Sequence, residues 1–174
     1  MDAIYERFCN YLSCNAKILD VGCGSGRDSL YFKSAGYQIT AIDGSCEMCK
    51  LASSFLGLPV ENITFDQINY CNEFDGIWAC SSLLHVPKSE IVDILHKIVQ
   101  ACKKNAIMYT CFKYGTSEMI KDGCHYSCYD EIQLENLIKE VEGMSVVEMW
   151  KSYDVLRHMN TPQWINVIIQ INKK

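Results

Sequence analysis

No stretch of the chain approaches the roughly 20 consecutive apolar residues that a membrane-spanning helix needs, so none is expected here. The opening residues, Met1-Asp2-Ala3-Ile4-Tyr5-Glu6-Arg7, lack the basic-then-apolar order of a secretory leader. Internal repeats, low-complexity segments and linker-like runs are missing too. Nor is there an excess of positive charge: 16 Lys and Arg stand against 21 Asp and Glu, a net charge of -5. A phosphate-binding protein usually shows a basic face, and here the densest basic spots are only Lys103-Lys104 and Lys173-Lys174. These absences make nucleic acid and membrane unlikely partners. They leave a cytoplasmic protein, a monomer or weak dimer, acting on something small.

What is present suits one compact domain over residues 1–174, opening on a short helix and carrying no separate substrate domain. Hydrophobic residues make up 49 %, enough for a real core. Eleven cysteines is a high, odd count; in a chain without an export signal they are expected as reduced thiols used as small hydrophobes. Cys46-Glu47-Met48-Cys49 and Cys124-His125-Tyr126-Ser127-Cys128 resemble half-sites for zinc. Neither has a second pair at ribbon or finger spacing, so no metal is expected.

Short β-branched runs alternate with helical patterns. Lys17–Val21 stops at glycines, as a buried parallel strand does. Residues Ser29 to Gly36 predict a helix, and Tyr37–Ile42 a second strand. Ser45 is placed to cap a helix with Met48, Leu51, Ala52 and Phe55 at three- to four-residue spacing. Asn62–Phe65 is a weak third strand and Phe74–Cys80 a clear fourth. Pro87 opens a helix with Ile91, Ile94, Leu95, Ile98, Val99 and Cys102 on one stripe. Ala106–Phe112, a helix from Tyr129 to Val141, and two strands, Ser145–Trp150 and Trp164–Ile171, complete the pattern. Such alternation predicts an α/β, Rossmann-like, doubly wound sheet of seven strands, mostly parallel, with helices on both faces. Two final strands with no helix between them imply an antiparallel last strand.

The informative stretch is Asp20-Val21-Gly22-Cys23-Gly24-Ser25-Gly26-Arg27. Glycines after the first strand let the chain turn sharply and let a ligand approach the backbone. The helix that follows presents its N-terminus to an anionic group. Asp43 closes the second strand, where a carboxylate accepts both hydroxyls of a ribose. A dinucleotide loop would read G-x-G-x-x-G, which requires glycine at 27 or 29; Arg27 and Ser29 stand there. The spacing is G-x-G-x-G, which counts against a nicotinamide cofactor.

Together, ILDVGCGSGRDSLYF, AIDGS and FDGIWACSSLLHVP resemble the class I S-adenosylmethionine-dependent methyltransferases, in particular a small bacterial tellurite-resistance-like subgroup. The resemblance runs from Tyr5 to the C-terminus and takes in Phe112-Lys113-Tyr114-Gly115 and Trp164-Ile165-Asn166-Val167. It implies S-adenosyl-L-methionine as cofactor and a small-molecule methyl acceptor. By the same resemblance, Gly22, Gly24 and Gly26 shape the pocket floor with Cys23 as backbone lining, and Asp43 holds the ribose beside Gly44 and Ser45. Asp66 or Gln67 meets the adenine amino group, and Cys80 and Ser81 line the methionine side. Arg27 either pairs with the cofactor carboxylate or sits on the surface at the helix start. Longer members carry an upstream segment that folds over the cofactor, whereas this chain begins almost at its first helix. Their Pro-Gly-Gly before the fifth strand is Lys103-Lys104-Asn105 here, and their Asp-Val-Arg-Pro is Asp154-Val155-Leu156-Arg157. A domain that binds the cofactor without turnover is the alternative reading.

Methyl transfer is an in-line displacement at an activated carbon, so holding acceptor and methyl group in line supplies much of the catalysis. A base is needed only for an acceptor that carries a proton. His85, after the fourth strand, is the candidate base; its bland reading is a residue that packs the turn before Pro87. His125 is expected in a polar loop after the fifth strand, facing the acceptor or solvent. Tyr114, Arg157 and Trp164 are candidates for an acceptor wall, although a Trp that starts the last strand is more often core or edge packing.

Overall fold

The computed structural model describes residues 1–153 and 163–173. The chain runs α1 (Asp2–Cys9), β1 (Lys17–Val21), α2 (Arg27–Ser34), β2 (Gln38–Asp43), α3 (Cys46–Leu56), β3 (Glu61–Asn62), β4 (Phe74–Ala79), α4 (Ile91–Ala101), β5 (Cys102–Tyr114), β6 (Glu118–Lys121), β7 (Cys124–Tyr129), α5 (Glu131–Glu140), β8 (Met144–Ser152) and β9 (Trp164–Ile171). Single 3-10 turns lie at Phe65–Gln67 and Leu83–His85. The main sheet is ordered β3-β2-β1-β4-β5-β9-β8; β1 to β5 pair in parallel and β9 runs antiparallel to both neighbours. This is the expected doubly wound α/β architecture. Strand order reverses between β1 and β4, and the C-terminal ends there open the crevice where such sheets take ligands.

Both faces of the sheet are covered, which is why its central strands read as continuous apolar runs rather than alternating ones. Alternate residues still go to opposite sides. Ile18, Trp78, Ile107 and Tyr109 meet Tyr5 and Phe8 of α1 and Phe32 of α2. Leu19, Ile77, Met108 and Phe112 meet Ile94, Leu95 and Ile98 of α4 and Leu134 and Ile138 of α5. On the first side Trp78 stacks on Tyr109 at 4.3 Å and packs against Phe32 at 4.9 Å and Tyr5 at 5.4 Å. The aromatic cluster holds α1 beside the crevice.

Several boundaries depart from expectation. Nine strands form among the described residues, not seven, because the segment expected as a loop after the fifth strand is the β6–β7 hairpin. β4 pairs with β5 only as far as Thr110, and β7 takes over the same edge of β5 at Lys113 and Tyr114. Consequently the hairpin stands beyond the end of β4. Tyr129 therefore finishes a strand, and α5 begins at Glu131 once the Asp130 carboxylate accepts from Gln133 N at 2.8 Å. The third strand shrinks to two residues, since Gln67 Oε1 accepts from Thr64 N at 2.9 Å and turns the chain. α4 starts at Ile91; before it, Glu90 N and Ile91 N donate to Pro87 O. Lys103-Lys104-Asn105 lies inside β5, which slips register there as Asn105 adopts φ 63°. No helix of the described residues is long and apolar enough to cross a membrane.

Candidate functional site

The bend after β1 is built by positions that reject a side chain. Gly22 has φ +77°, and a Cβ on it would lie 2.5 Å from Ser82 Cβ. Gly26, at φ +86°, caps α2 and would press a Cβ to 3.1 Å from Leu56. Gly22→Ala is expected to cost roughly 2–4 kcal/mol through left-handed strain and overpacking. Urea unfolding measures it; an unchanged midpoint would show that Ser82 gives way freely.

Asp43, at the end of β2, turns its carboxylate into this bend. Oδ2 accepts from Gly24 N at 2.9 Å and Oδ1 from Ser45 N at 2.8 Å. Ser45 Oγ accepts from Met48 N at 3.3 Å and so caps α3, while Gly44 is exposed between them. The bend opens on a cavity of about 260 Å³ lined by Asp20, Gly22, Cys23, Gly24, Ser25, Arg27, Asp28, Cys80 and Ser81. β1, the glycine bend, the first turn of α2 and the end of β4 thus converge on one space.

The electrostatics of that space are unusual. Asp20 is only 2 % exposed and accepts from Ser29 Oγ at 2.6 Å. Burial pushes its acid up to about 7; the nearby charges of Asp28 and Asp43 add to the push, while Ser29 and Arg27 oppose it. Asp28 is buried as well, which raises its acid, but donations from Arg27, Tyr5 and Trp78 together outweigh burial and hold it below the usual range. Tyr5 Oη donates at 2.7 Å and Trp78 Nε1 at 2.8 Å. Arg27 Nε pairs with Asp28 Oδ1 while its side chain stays 64 % exposed at the mouth. Burial raises the Cys23 thiol to about 12, so it lines the wall as a neutral group. Sequence reasoning missed Asp20 and Asp28. Their signal was a carboxylate in an otherwise apolar strand and another in the first turn of α2.

The remaining candidates divide between other places. His85 lines a neighbouring cleft with Thr64, Phe65, Asp66, Val86, Pro87, Glu90 and Ile94. Phe65 links this cleft to the bend: a Cβ on Gly22 would lie 3.7 Å from its ring. Because a carbonyl only accepts, the 2.8 Å contact of His85 Nδ1 with His125 O places a proton on Nδ1. Asp66 Oδ1 accepts from Thr64 Oγ1 at 2.5 Å, and the Gln67 carbonyl is spent on the turn described above. His125 sits on β7, not in a loop; its Nε2 is 3.1 Å from both Glu118 Oε1 and Ser127 Oγ. Ser127 Oγ donates to Val86 O at 2.7 Å, so the hairpin is bolted to the segment after β4. Tyr114 Oη donates to Glu131 Oε2 at 2.9 Å, and Lys151 lies 4.9 Å over its ring, away from both cavities. Trp164 packs half-buried against the core. Arg157 lies outside the described residues.

Residues 18–105, half of the chain, match the family model described as a methyltransferase domain. The chain belongs to that methyltransferase domain family. A curated relative from Staphylococcus carnosus, named an uncharacterized methyltransferase, is 28 % identical over 99 residues; the match spans 56 % of this chain and 48 % of the relative, about half its length. Among solved structures, a SAM-dependent methyltransferase from Methanosarcina mazei is similar over 100 % of this chain and 99 % of its own, with a TM-score of 0.80 and 20 % identity. The Burkholderia thailandensis 1,6-didemethyltoxoflavin-N1-methyltransferase, solved with bound 1,6-didemethyltoxoflavin and S-adenosylhomocysteine, gives a TM-score of 0.80 at 19 % identity, covering 97 % of this chain and 76 % of its own. At those identities the likeness is one of fold. As a member of the methyltransferase family, the chain has its glycine bend and the end of β4 at the crevice of a shared scaffold.

Proposed function

We propose that this methyltransferase domain binds S-adenosyl-L-methionine in the cavity behind β1 and transfers its methyl group to a small-molecule acceptor. The observation that carries the reading is the pairing of Asp43, turned into the glycine bend, with a cavity whose walls hold the buried carboxylates of Asp20 and Asp28. Arg27 is the one cation among the described residues lining it, and Asp28 already engages it. Such a space favours a nucleoside that carries positive charge, as the cofactor does at its sulfonium and ammonium centres. Gly22 leaves room for that ligand against the backbone, and Phe65 offers a flat apolar face toward the adenine side.

When bound, the cofactor supplies an activated methyl group. The chain's own residues grip, orient and exclude water. Asp43 keeps lone pairs free after accepting from Gly24 and Ser45, enough to receive two ribose hydroxyls. Asp20 faces the ammonium end, and Cys80 and Ser81 border the methionine side. The acceptor enters past the β6–β7 hairpin, whose small size favours a small substrate, in keeping with the N1-methyltransferase neighbour that holds 1,6-didemethyltoxoflavin. Reading the chain as tellurite-resistance-like rests on the later motifs, FDGIWACSSLLHVP with Phe112-Lys113-Tyr114-Gly115 and Trp164-Ile165-Asn166-Val167.

Calorimetric titration with S-adenosylmethionine and S-adenosylhomocysteine tests the proposal, followed by methyl-loss assays over small acceptors. No binding at millimolar ligand removes it; binding without turnover across the panel leaves a domain that only holds the cofactor. His85 lines the cleft with Asp66 and Phe65 rather than the wall bearing Cys80, so it serves the adenine side here. His85→Ala is accordingly expected to raise KM for the cofactor while kcat holds, whereas loss of a general base would cut kcat by about 10²–10⁴. Steady-state kinetics separates the two.

A further inference from the structure

β4 and β5 pair in parallel with Ala79 opposite Thr110, and the next residue on each is a cysteine. Cys80 and Cys111 are therefore cross-strand neighbours on one face of the sheet, beside Trp78 and Tyr109. Adjacent strands lie about 4.8 Å apart, inside the roughly 4.4–6.8 Å that separates the Cα atoms of a disulfide. Ser81 completes the arrangement with a left-handed turn at φ 55°, uncommon for a residue with a side chain. That turn aims Ser81 N at Cys111 Sγ, 3.2 Å away, and its hydroxyl lies 3.5 Å from the same sulfur. The neighbouring Cys80 thiol and the Ser81 donors hold the Cys111 thiol below its ordinary range against its burial, while Cys80 is pushed up. Cys111 is only 3 % exposed, but Cys80 and Ser81 both line the cavity, so a small oxidant reaches the pair from there.

We propose that Cys80 and Cys111 form an oxidant-sensitive dithiol built into the wall of this cavity, closing to a disulfide that weakens nucleoside binding. With hydrogen peroxide as oxidant, the Cys111 thiolate forms a bond to one oxygen, the O–O bond breaks, and hydroxide leaves, becoming water by taking up the proton that Cys111 released on ionising. The Cys80 sulfur then attacks the sulfenic sulfur: the S–S bond forms, the S–O bond breaks, and the departing hydroxide takes the Cys80 proton as a second water. Two thiols are oxidised and one peroxide is reduced. The disulfide draws Cys111 Sγ away from the Ser81 N–H that it anchors, so the wall beside the methionine side shifts. Nine other cysteines are free, and none shares this donor set among the described residues.

The dithiol stands apart from the proposed cofactor, whereas its effect on affinity rests on that reading. Full-length protein is treated with peroxide, alkylated, digested and sequenced by tandem mass spectrometry, and S-adenosylhomocysteine is titrated into oxidised and reduced samples. A Cys80–Cys111 linkage, lighter by two hydrogens and reversed by dithiothreitol, is expected, with affinity at least about tenfold weaker when oxidised. In Cys111→Ser the ratio of oxidised to reduced affinity is expected near one. Linkages among other cysteines with Cys80 and Cys111 still alkylated, a methyl adduct in place of the linkage, or an oxidative loss of affinity that persists in Cys111→Ser would each overturn the proposal. Should reduced protein not bind the nucleoside at all, the cofactor reading fails, while the mapped peptide still decides the dithiol.

Discussion

Asp43→Ala is expected to weaken S-adenosylhomocysteine binding by about 30- to 1,000-fold, equivalent to roughly 2–4 kcal/mol. The carboxylate lies at the end of β2 with one oxygen on Gly24 N and the other on Ser45 N. A ribose that adds two hydroxyls to it gains two charge-assisted bonds, each stronger than a neutral one. The substitution also removes acceptors from two backbone donors, and Asp43 is half-buried, so some loss of stability accompanies the loss of affinity. The two effects separate with a 2′-deoxy analogue. Against native protein the analogue binds more weakly than the parent nucleoside; against Asp43→Ala the two bind alike, because the hydroxyl has lost its partner. A penalty for the missing hydroxyl that is the same in both proteins would mean that the ribose is held elsewhere and that Asp43 only fixes the bend.

The architecture was legible because it is written in period and punctuation. Lys17–Val21 and Trp164–Ile171 fall on their strands to the residue, since each ends against a turn residue or a terminus of pairing that the sequence marks. The β6–β7 hairpin was not legible. Its strands, Glu118–Lys121 and Cys124–Tyr129, are too polar to show an apolar period, and β6 is exposed along its whole length. What holds the hairpin is tertiary: Ser127 on Val86 O, His125 O on His85, and the rim of β5 left open when β4 stops. Within the site, the glycines and Asp43 were visible because backbone geometry admits few alternatives at such a bend. Asp20 hid inside an apolar strand, and its weight comes only from burial, which a sequence does not display. Asp28 drew no notice because an acid in the first turn of a helix is ordinary; its partners Tyr5 and Trp78 lie 23 and 50 residues away in the chain.

Asp20 yields the second large effect, on stability against pH. Its acid stands at about 7 in the folded chain against an ordinary 3.8, chiefly through burial. Between those values the native state keeps a proton that the unfolded chain has released, so stability falls as pH rises from about 4 to about 7 and is level above. The interval corresponds to ~4 kcal/mol at most. Asp20→Asn cannot ionise, yet its carbonyl still accepts from Ser29 Oγ. The variant is therefore expected to match native stability near pH 4 and exceed it by up to ~4 kcal/mol at pH 8, as read from urea unfolding across that range. It should also bind the cofactor product more weakly, because a cationic ammonium rewards the ionised carboxylate and not the amide. For the native protein the same coupling makes binding near pH 6–7 release a proton, visible as a calorimetric enthalpy that changes with the ionisation heat of the buffer. Stability curves that run parallel for native protein and variant, with no proton released on binding, would mean that Asp20 is ionised throughout and takes no part in holding the ligand.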